Sequence, residues 1–283
     1  MAIGDYFRIF TNIGAYNALS ALKNVNSRIE VHSLRLATGS RINQVADDPA
    51  GFVISRSLEA RNRGLATSID NVETAKNVLS TAEGGLQSIS DLLLTMKEKV
   101  TQAASDTNGT AERGAIKNEI NQLTEEVDDI VKETSFNNRK LLDGTYTGIS
   151  YQTGSEPGNR LIFGIDKSHS SRGLDIAEDT VANRVQTASG ASVALSKVDK
   201  AITTVSKSLQ QVGATVSRLN AKSTMLSITL TNSQATRSRI IDADIAMEQL
   251  KATQYAILQQ SALSQLLQAN ILPGSVLSLF RRR

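Results

Sequence analysis

The chain has 283 residues, with 31 basic against 28 acidic side chains, no cysteine, no tryptophan, three prolines and 4% aromatic residues. Zero cysteine excludes disulfides, thiolate catalysis and cysteine metal sites, and two histidines, His32 and His169, leave too little material for a histidine metal site or proton relay within one chain. The charges are interspersed, which describes solvated helix faces and not a nucleic-acid footprint, so the chain packs through Leu, Ile, Val and Ala.

The N-terminal segment carries Ile9, Phe10, Ile13, Ala15, Ala18, Leu22, Val25, Ile29, His32 and Leu36 at steps of three and four, an amphipathic helix with one apolar seam. His32 occupies an inward position and is read as a packed, hydrogen-bonded core histidine. Gly39 follows the last periodic residue as a helix stop. The polar connection 39–51 then ends in Asp48-Pro49, a helix-start arrangement: the carboxylate accepts first-turn amides and proline loses nothing at the first helical position. Asp47 and Asp48 are therefore read as structural, with Arg41 held near them in a turn.

A long stripe follows over 65–103: Leu65, Ile69, Val72, Ala75, Leu79, Ala82, Leu86, Ile89, Leu93, Met96, Val100 and Ala103. At ~1.5 Å per residue it spans on the order of 58 Å, too long to be buried without other long helices beside it. The spacing approaches the heptad of a coiled coil, with a local slip expected at Val72 and Ala75. Gly84 and Gly85 in its middle each cost ~1 kcal/mol of helix propensity, which close packing must offset. Ile116, Ile120, Leu123, Val127 and Ile130 predict a shorter return helix. From 136 to 180 glycine, asparagine and proline punctuate short pieces, and a β region is expected with a hairpin turn near 155–159. Helical spacing returns with Leu195, Val198, Ile202, Val205, Leu209, Val212, Val216, Leu219, Leu226 and Leu230. A last helix carries Tyr255, Leu258, Ala262, Leu266, Ala269 and Leu272, broadened by Ile257 and Leu263. Asp242 and Asp244 lack further hard ligands and are read as solvated or ion-paired. Arg281, Arg282 and Arg283 end the chain.

The fold class is thus mainly α: a long coiled-coil-like helical rod with a small β-hairpin region and paired terminal helices. The two terminal helices present apolar stripes that a single pair covers only in part, which predicts ordering against further copies of the chain. Leu22, Val25, Ile29, Leu36, Ile257, Leu258, Leu263 and Leu266 form the expected polymerisation seam. No apolar run reaches the ~18 residues of a membrane span, and the N-terminal stretch lacks the basic-then-apolar order of a cleaved signal peptide.

Three groups of motifs resemble those of one family. Leu36-Ala37-Thr38-Gly39-Ser40-Arg41-Ile42-Asn43, running on to Asp47-Asp48-Pro49-Ala50-Gly51, is similar to the N-terminal signature of bacterial flagellins, the subunits of the flagellar filament. Thr81-Ala82-Glu83-Gly84-Gly85-Leu86 and Ser135-Phe136-Asn137-Asn138-Arg139-Lys140-Leu141-Leu142 resemble two core motifs of that family. Ser238-Arg239-Ile240-Ile241-Asp242-Ala243-Asp244, Ile257-Leu258-Gln259-Gln260 and the run from Gln268 to Leu279 resemble its C-terminal signature. The resemblance implies an inner domain of 1–43 plus 236–283 and a rod-like core domain of 44–235 that includes the β region 136–180. It further implies helical polymerisation around a channel, with no catalysis, cofactor or metal, no nucleic acid and no membrane insertion. Implied partners are other copies of the chain, junction and cap proteins, an export chaperone and the flagellar secretion apparatus. The implied location is the extracellular filament, reached without a cleaved signal peptide.

Two alternatives remain beside this reading. A hook-filament junction protein shares the N-terminal pattern, although the Gln268-Ala269-Asn270 ending through Leu279 argues against it. A secreted helical enzyme or effector would need a nucleophile, base and orienter set that the motifs do not supply. One departure from the family concerns a surface read by an innate receptor of the Toll-like type: many flagellins carry an arginine and, four residues on, a leucine where this chain has Thr95 and Lys99. Glu119 matches the family's glutamate on the return helix.

Overall fold

A computed structural model describes residues 11–280, with side chains over 11–271. Ile9, Phe10, Arg281, Arg282 and Arg283 lie outside the described residues, as does the Leu272 side chain. Five long helices, α1 (Ile13–Thr38), α2 (Pro49–Ala103), α3 (Thr110–Glu133), α4 (Ala188–Ile241) and α5 (Ile245–Phe280), account for most of the chain. Two two-stranded antiparallel sheets join α3 to α4: β1 (Ser135–Phe136) with β2 (Arg139–Lys140), and β3 (Ile149–Gln152) with β4 (Arg160–Phe163). The chain divides into two compact units, 1–60 with 232–283, and 61–231.

In the second unit, α2 follows the heptad without a break. Leu65, Val72, Leu79, Leu86, Leu93 and Val100 recur every seventh residue and are buried, and so are Ala75, Ala82, Ile89, Met96 and Ala103 between them. The expected slip is absent, because the inward residue after Leu65 is Ser68 and not Ile69, which is only partly buried. The Ser68 hydroxyl donates to the Gly64 carbonyl at 2.7 Å, so a polar side chain enters the seam with its hydrogen bond made. On α4 the same register holds: Val198, Val205, Val212, Leu219 and Leu226 are all buried. Ile116, Ile120, Val127 and Val131 of α3 complete one continuous core with α2 and α4.

The two central glycines of α2 differ. A Cβ on Gly85 would lie 2.6 Å from Thr134 Oγ1 and 2.9 Å from Leu142 Cδ1, whereas one on Gly84 would meet nothing within 4 Å. Gly85 thus permits the chain leaving α3 to pass against α2, and Gly84 carries only its propensity cost. Opposite effects are expected: Gly84→Ala raises the urea midpoint through about 1 kcal/mol of added stability, and Gly85→Ala lowers it through about 1–3 kcal/mol of overpacking. Equal shifts in urea melts would contradict this assignment.

The β3–β4 hairpin pairs Gln152 with Arg160 and Ile149 with Phe163, with its turn over the expected 155–159. The β1–β2 hairpin turns on Asn137 and Asn138, both at positive φ (46° and 64°), as a two-residue turn between right-twisted strands requires. Beyond β4 the segment to 187 contains turns and a short 3-10 helix at Arg184–Gln186. It carries His169, which is fully buried, with Nε2 2.8 Å from Ser208 Oγ. Burial holds the His169 ring below the ordinary histidine range, against raising contributions from the Leu142 and Lys167 backbone and together with the Lys167 charge.

Candidate assembly surface

The first unit is built on α1 and α5. Asn12 caps α1, its Oδ1 accepting the Ala15 amide at 2.9 Å while its Nδ2 donates to the Ala269 carbonyl at 2.7 Å, which ties the start of one helix to the far part of the other. Gly39 closes α1 at φ 68°, as expected from its place after the last periodic residue. At the start of α5, Asp244 accepts the Met247 amide at 3.1 Å, and so acts as a helix cap and not as an ion-paired or merely solvated acid.

The connection 39–51 is held by backbone. Arg41 N donates to Ile241 O at 2.6 Å and Ala243 N to Gly39 O at 2.9 Å, around a bridge between Ser40 and Asp242. The Arg41 guanidinium donates to the Ile240 carbonyl at 2.8 Å, and this replaces the expected arrangement in which it is held near Asp47 and Asp48. Asp47 instead accepts the amides of Asn43 and Gln44, and these hold its carboxyl below the ordinary value. Asp48 accepts the Gly51 amide at 2.9 Å and caps α2 ahead of Pro49. The carbonyls of α4 are a better partner for Arg41, because both carboxylates are already occupied by turn and cap amides.

Where α1 and α5 pack together, Leu22, Val25, Ile29 and Leu36 of α1 are half-buried, and on α5 so are Tyr255 and Leu266, with Ala262 buried. At the centre of this contact His32 and Glu248 are 7% and 6% exposed and joined by a hydrogen bond from Nδ1 to Oε2. Arg35 Nη1 lies 3.5 Å from Glu248 Oε1, and the His32 ring stacks on Tyr255 with centroids 5.3 Å apart. His32 is thus the packed, bonded histidine its position suggested; its partner, 216 residues away, had no local signal.

Burial pushes the Glu248 carboxyl up, but the His32 hydrogen bond and charge, with Arg35 and Lys251, outweigh it and hold the carboxyl below its ordinary 4.5. A carboxyl held down in the fold contributes stability above its unfolded value, and that contribution is lost as pH falls through the folded value. Protection of α1 amides, measured against the intrinsic exchange rate at each pH, is therefore expected to fall on acidification below pH 4.5. Glu248→Gln should lower that protection already at neutral pH, by about 1–3 kcal/mol, and flatten its acid dependence. An unchanged acid dependence in that variant would refute the clip.

The remaining seam residues are left exposed. Ile257 is 65% exposed, Leu258 and Leu263 are also exposed, and Ile245, Leu250, Leu267 and Ile271 join them. Leu250, Ile257 and Leu258 line a shallow apolar trough with Ala246. On α1, Tyr16 is 73% exposed and Leu34 is exposed as well. So α5 is apolar on the side packed against α1 and also away from it. A helix with apolar residues all round belongs in an interior, which one chain does not supply for this one.

In the other unit, Lys99 of α2 and Glu119 of α3 are brought together as an ion pair at 2.6 Å. Thr95, one turn earlier, donates its hydroxyl to the Asp91 carbonyl at 3.1 Å. None of the described helices is long and apolar enough to cross a membrane.

The bacterial flagellin N-terminal helical region matches residues 9–147, and the bacterial flagellin C-terminal helical region matches residues 195–280. A flagellin of Bacillus subtilis is 33% identical across 97% of this chain and all of its own length. The flagellar filament 33 kDa core protein of Treponema phagedenis is 29% identical across 95% of this chain and 98% of its own. Among solved structures, a putative flagellar hook-associated protein from Vibrio parahaemolyticus aligns with 69% of this chain and 100% of its own at a TM-score of 0.60. At 14% identity that is a likeness of fold alone.

Proposed function

The chain belongs to the bacterial flagellin family and is a structural subunit of the flagellar filament, and from that premise we propose that α1 and α5 are its assembly device. The observation that carries this reading is the unpaired apolar side of α5, from Ile245 through Ile271, beside a contact with α1 that is already closed by His32 and Glu248. Leu22, Val25, Ile29, Leu36 and Leu266 hold the two helices together. Ile257, Leu258 and Leu263 pack on neighbouring copies. The inner domain is 1–43 with 236–283, and 44–235 is the rod-like helical core domain; between the two matched family regions lie a hairpin, turns, a short 3-10 helix and the start of α4, and no inserted domain.

The role is structural and not enzymatic. Export proceeds through the flagellar secretion apparatus with a chaperone and without signal cleavage, and the ends of the filament meet junction and cap proteins. A filament role is preferred to that of the junction protein because filament core proteins match over nearly their whole length. Electron microscopy of the full chain in a precipitating salt, beside a copy lacking 1–40 and 250–283, tests this. Uniform filaments from the full chain alone are expected; filaments from the truncated copy would exclude the terminal helices as the device.

The surface of Thr95, Lys99 and Glu119 is a poor ligand for a Toll-like receptor that selects arginine and leucine there. Thr95 lacks the guanidinium donors, and Lys99 replaces an apolar contact while engaging Glu119. Thr95→Arg with Lys99→Leu should raise receptor signalling at least about tenfold. Signalling by the unaltered chain equal to that of a flagellin with both residues would contradict this.

A further inference from the structure

Within the unit 61–231, the β3–β4 hairpin and α4 enclose a groove floored by Leu161, Leu219 and Met225. Arg160, Arg218 and Lys222 stand around it, and none of the three has an ion pair among the described residues. Elsewhere in the same unit, a polar cleft beside α3 is lined by Glu125, Asp128, Asp143, Glu178 and Asp179, against two cations. Asp128 is occupied by the amide and hydroxyl of Ser171, each at 2.7 Å, and Glu178 lies 4.0 Å from Lys117. Glu125 and Asp179 are exposed and have no ion pair among the described residues.

These opposite charges do not meet within one chain. Asn71 of α2 reaches the Gln152 carbonyl of the hairpin, which sets the level of the groove. Thr134 lies against Gly85, and Arg113 Nε bonds the Ala103 carbonyl at 3.1 Å, so α3 runs antiparallel to α2 and Glu125 falls well beyond Gly85. Measured along α2 at ~1.5 Å per residue, the two patches are about 35 Å apart, beyond the reach of any pair of side chains.

We propose that the groove of one subunit receives the acidic turn of α3 and the Asp179 segment of a second copy, in a head-to-tail contact. This rests on the filament reading and assigns it a second interface, separate from the terminal helices. A surface that pairs with a different surface on an identical partner propagates, as a helical assembly requires, whereas a self-complementary patch would close a dimer. Leu161, Leu219 and Met225 supply the apolar floor and the three cations set the register, so the contact weakens with salt.

Charge reversal on the full-length chain tests the pairing. Arg218→Glu with Lys222→Glu, and separately Glu125→Lys with Asp179→Lys, should each raise the critical concentration for filaments at least about tenfold by placing like charges together. All four substitutions in one chain should return it to within about threefold of the unaltered value, which generic anion binding would not do. Unchanged assembly in either pair, or a quadruple variant no better than the pairs, would overturn the proposal. Each chain is also sedimented at low salt. If the unaltered chain forms no filaments, the filament reading fails, while loss of self-association in each pair and its return in the quadruple variant still reads the contact by itself.

Discussion

Leu22→Asp is expected to abolish filament formation while the unit 61–231 melts as before. Leu22 is half-buried and flanks a groove with Asn26, Ala256 and Leu263, so it lies where α1, α5 and the exposed apolar rim converge. An aspartate there must lose hydration or force the pair apart, and no cation lines that groove. A cost of about 3 kcal/mol per subunit, the lower range for burying an unpaired polar or charged group, is about a hundredfold in critical concentration. Every copy carries the same lesion. Leu22→Ile keeps the apolar volume and should polymerise. Normal filaments from the aspartate variant by electron microscopy would show that Leu22 is not in the seam.

Leu86→Ala is expected to be the largest single loss of core stability. Leu86 is fully buried in the heptad of α2, one residue after the glycine that lets Thr134 and Leu142 approach. Truncation leaves a cavity between long helices that cannot collapse locally, with a cost of about 3–5 kcal/mol. For a unit of this size that is about 10 °C in Tm. Leu94→Ala, at an exposed position of the same helix, should cost under about 1 kcal/mol. Similar melting shifts for the two by calorimetry would deny the heptad register.

The same register shows what sequence alone conveys. The apolar positions of α2 and α4 are readable because coiled-coil packing demands one residue type at a fixed spacing, and every expected apolar position of α2 is buried or packed against the core. Ser68 escapes that logic: its hydroxyl is satisfied within its own helix, so a polar residue holds an inward position and mimics a slip. The caps at Asp48 and Asp244 differ in the same sense. The proline after Asp48 announces a helix start, while Asp244 has no such marker and its role emerges only with the Met247 amide. Asn137 and Asn138 carry a signal for a two-residue hairpin turn that the surrounding glycine-rich composition obscures. Partners far apart in the chain were not legible. Nothing near His32 names Glu248, and nothing near Arg41 names the Ile240 carbonyl. Nor does the seam pattern separate the residues of α5 that face α1 from those left for other copies: Leu266 and Ile257 fall on one broad stripe in sequence and on opposite sides of the question in space.

That last distinction is the point to measure. Because the chain has no cysteine, Ile257→Cys introduces a single thiol, and its labelling rate can be compared between monomer and filament. Fast labelling is expected in the monomer, where Ile257 is exposed, and protection of at least about a hundredfold in the filament. Equal labelling in the two states would place the exposed face of α5 outside every contact between copies, and would contradict its role in assembly.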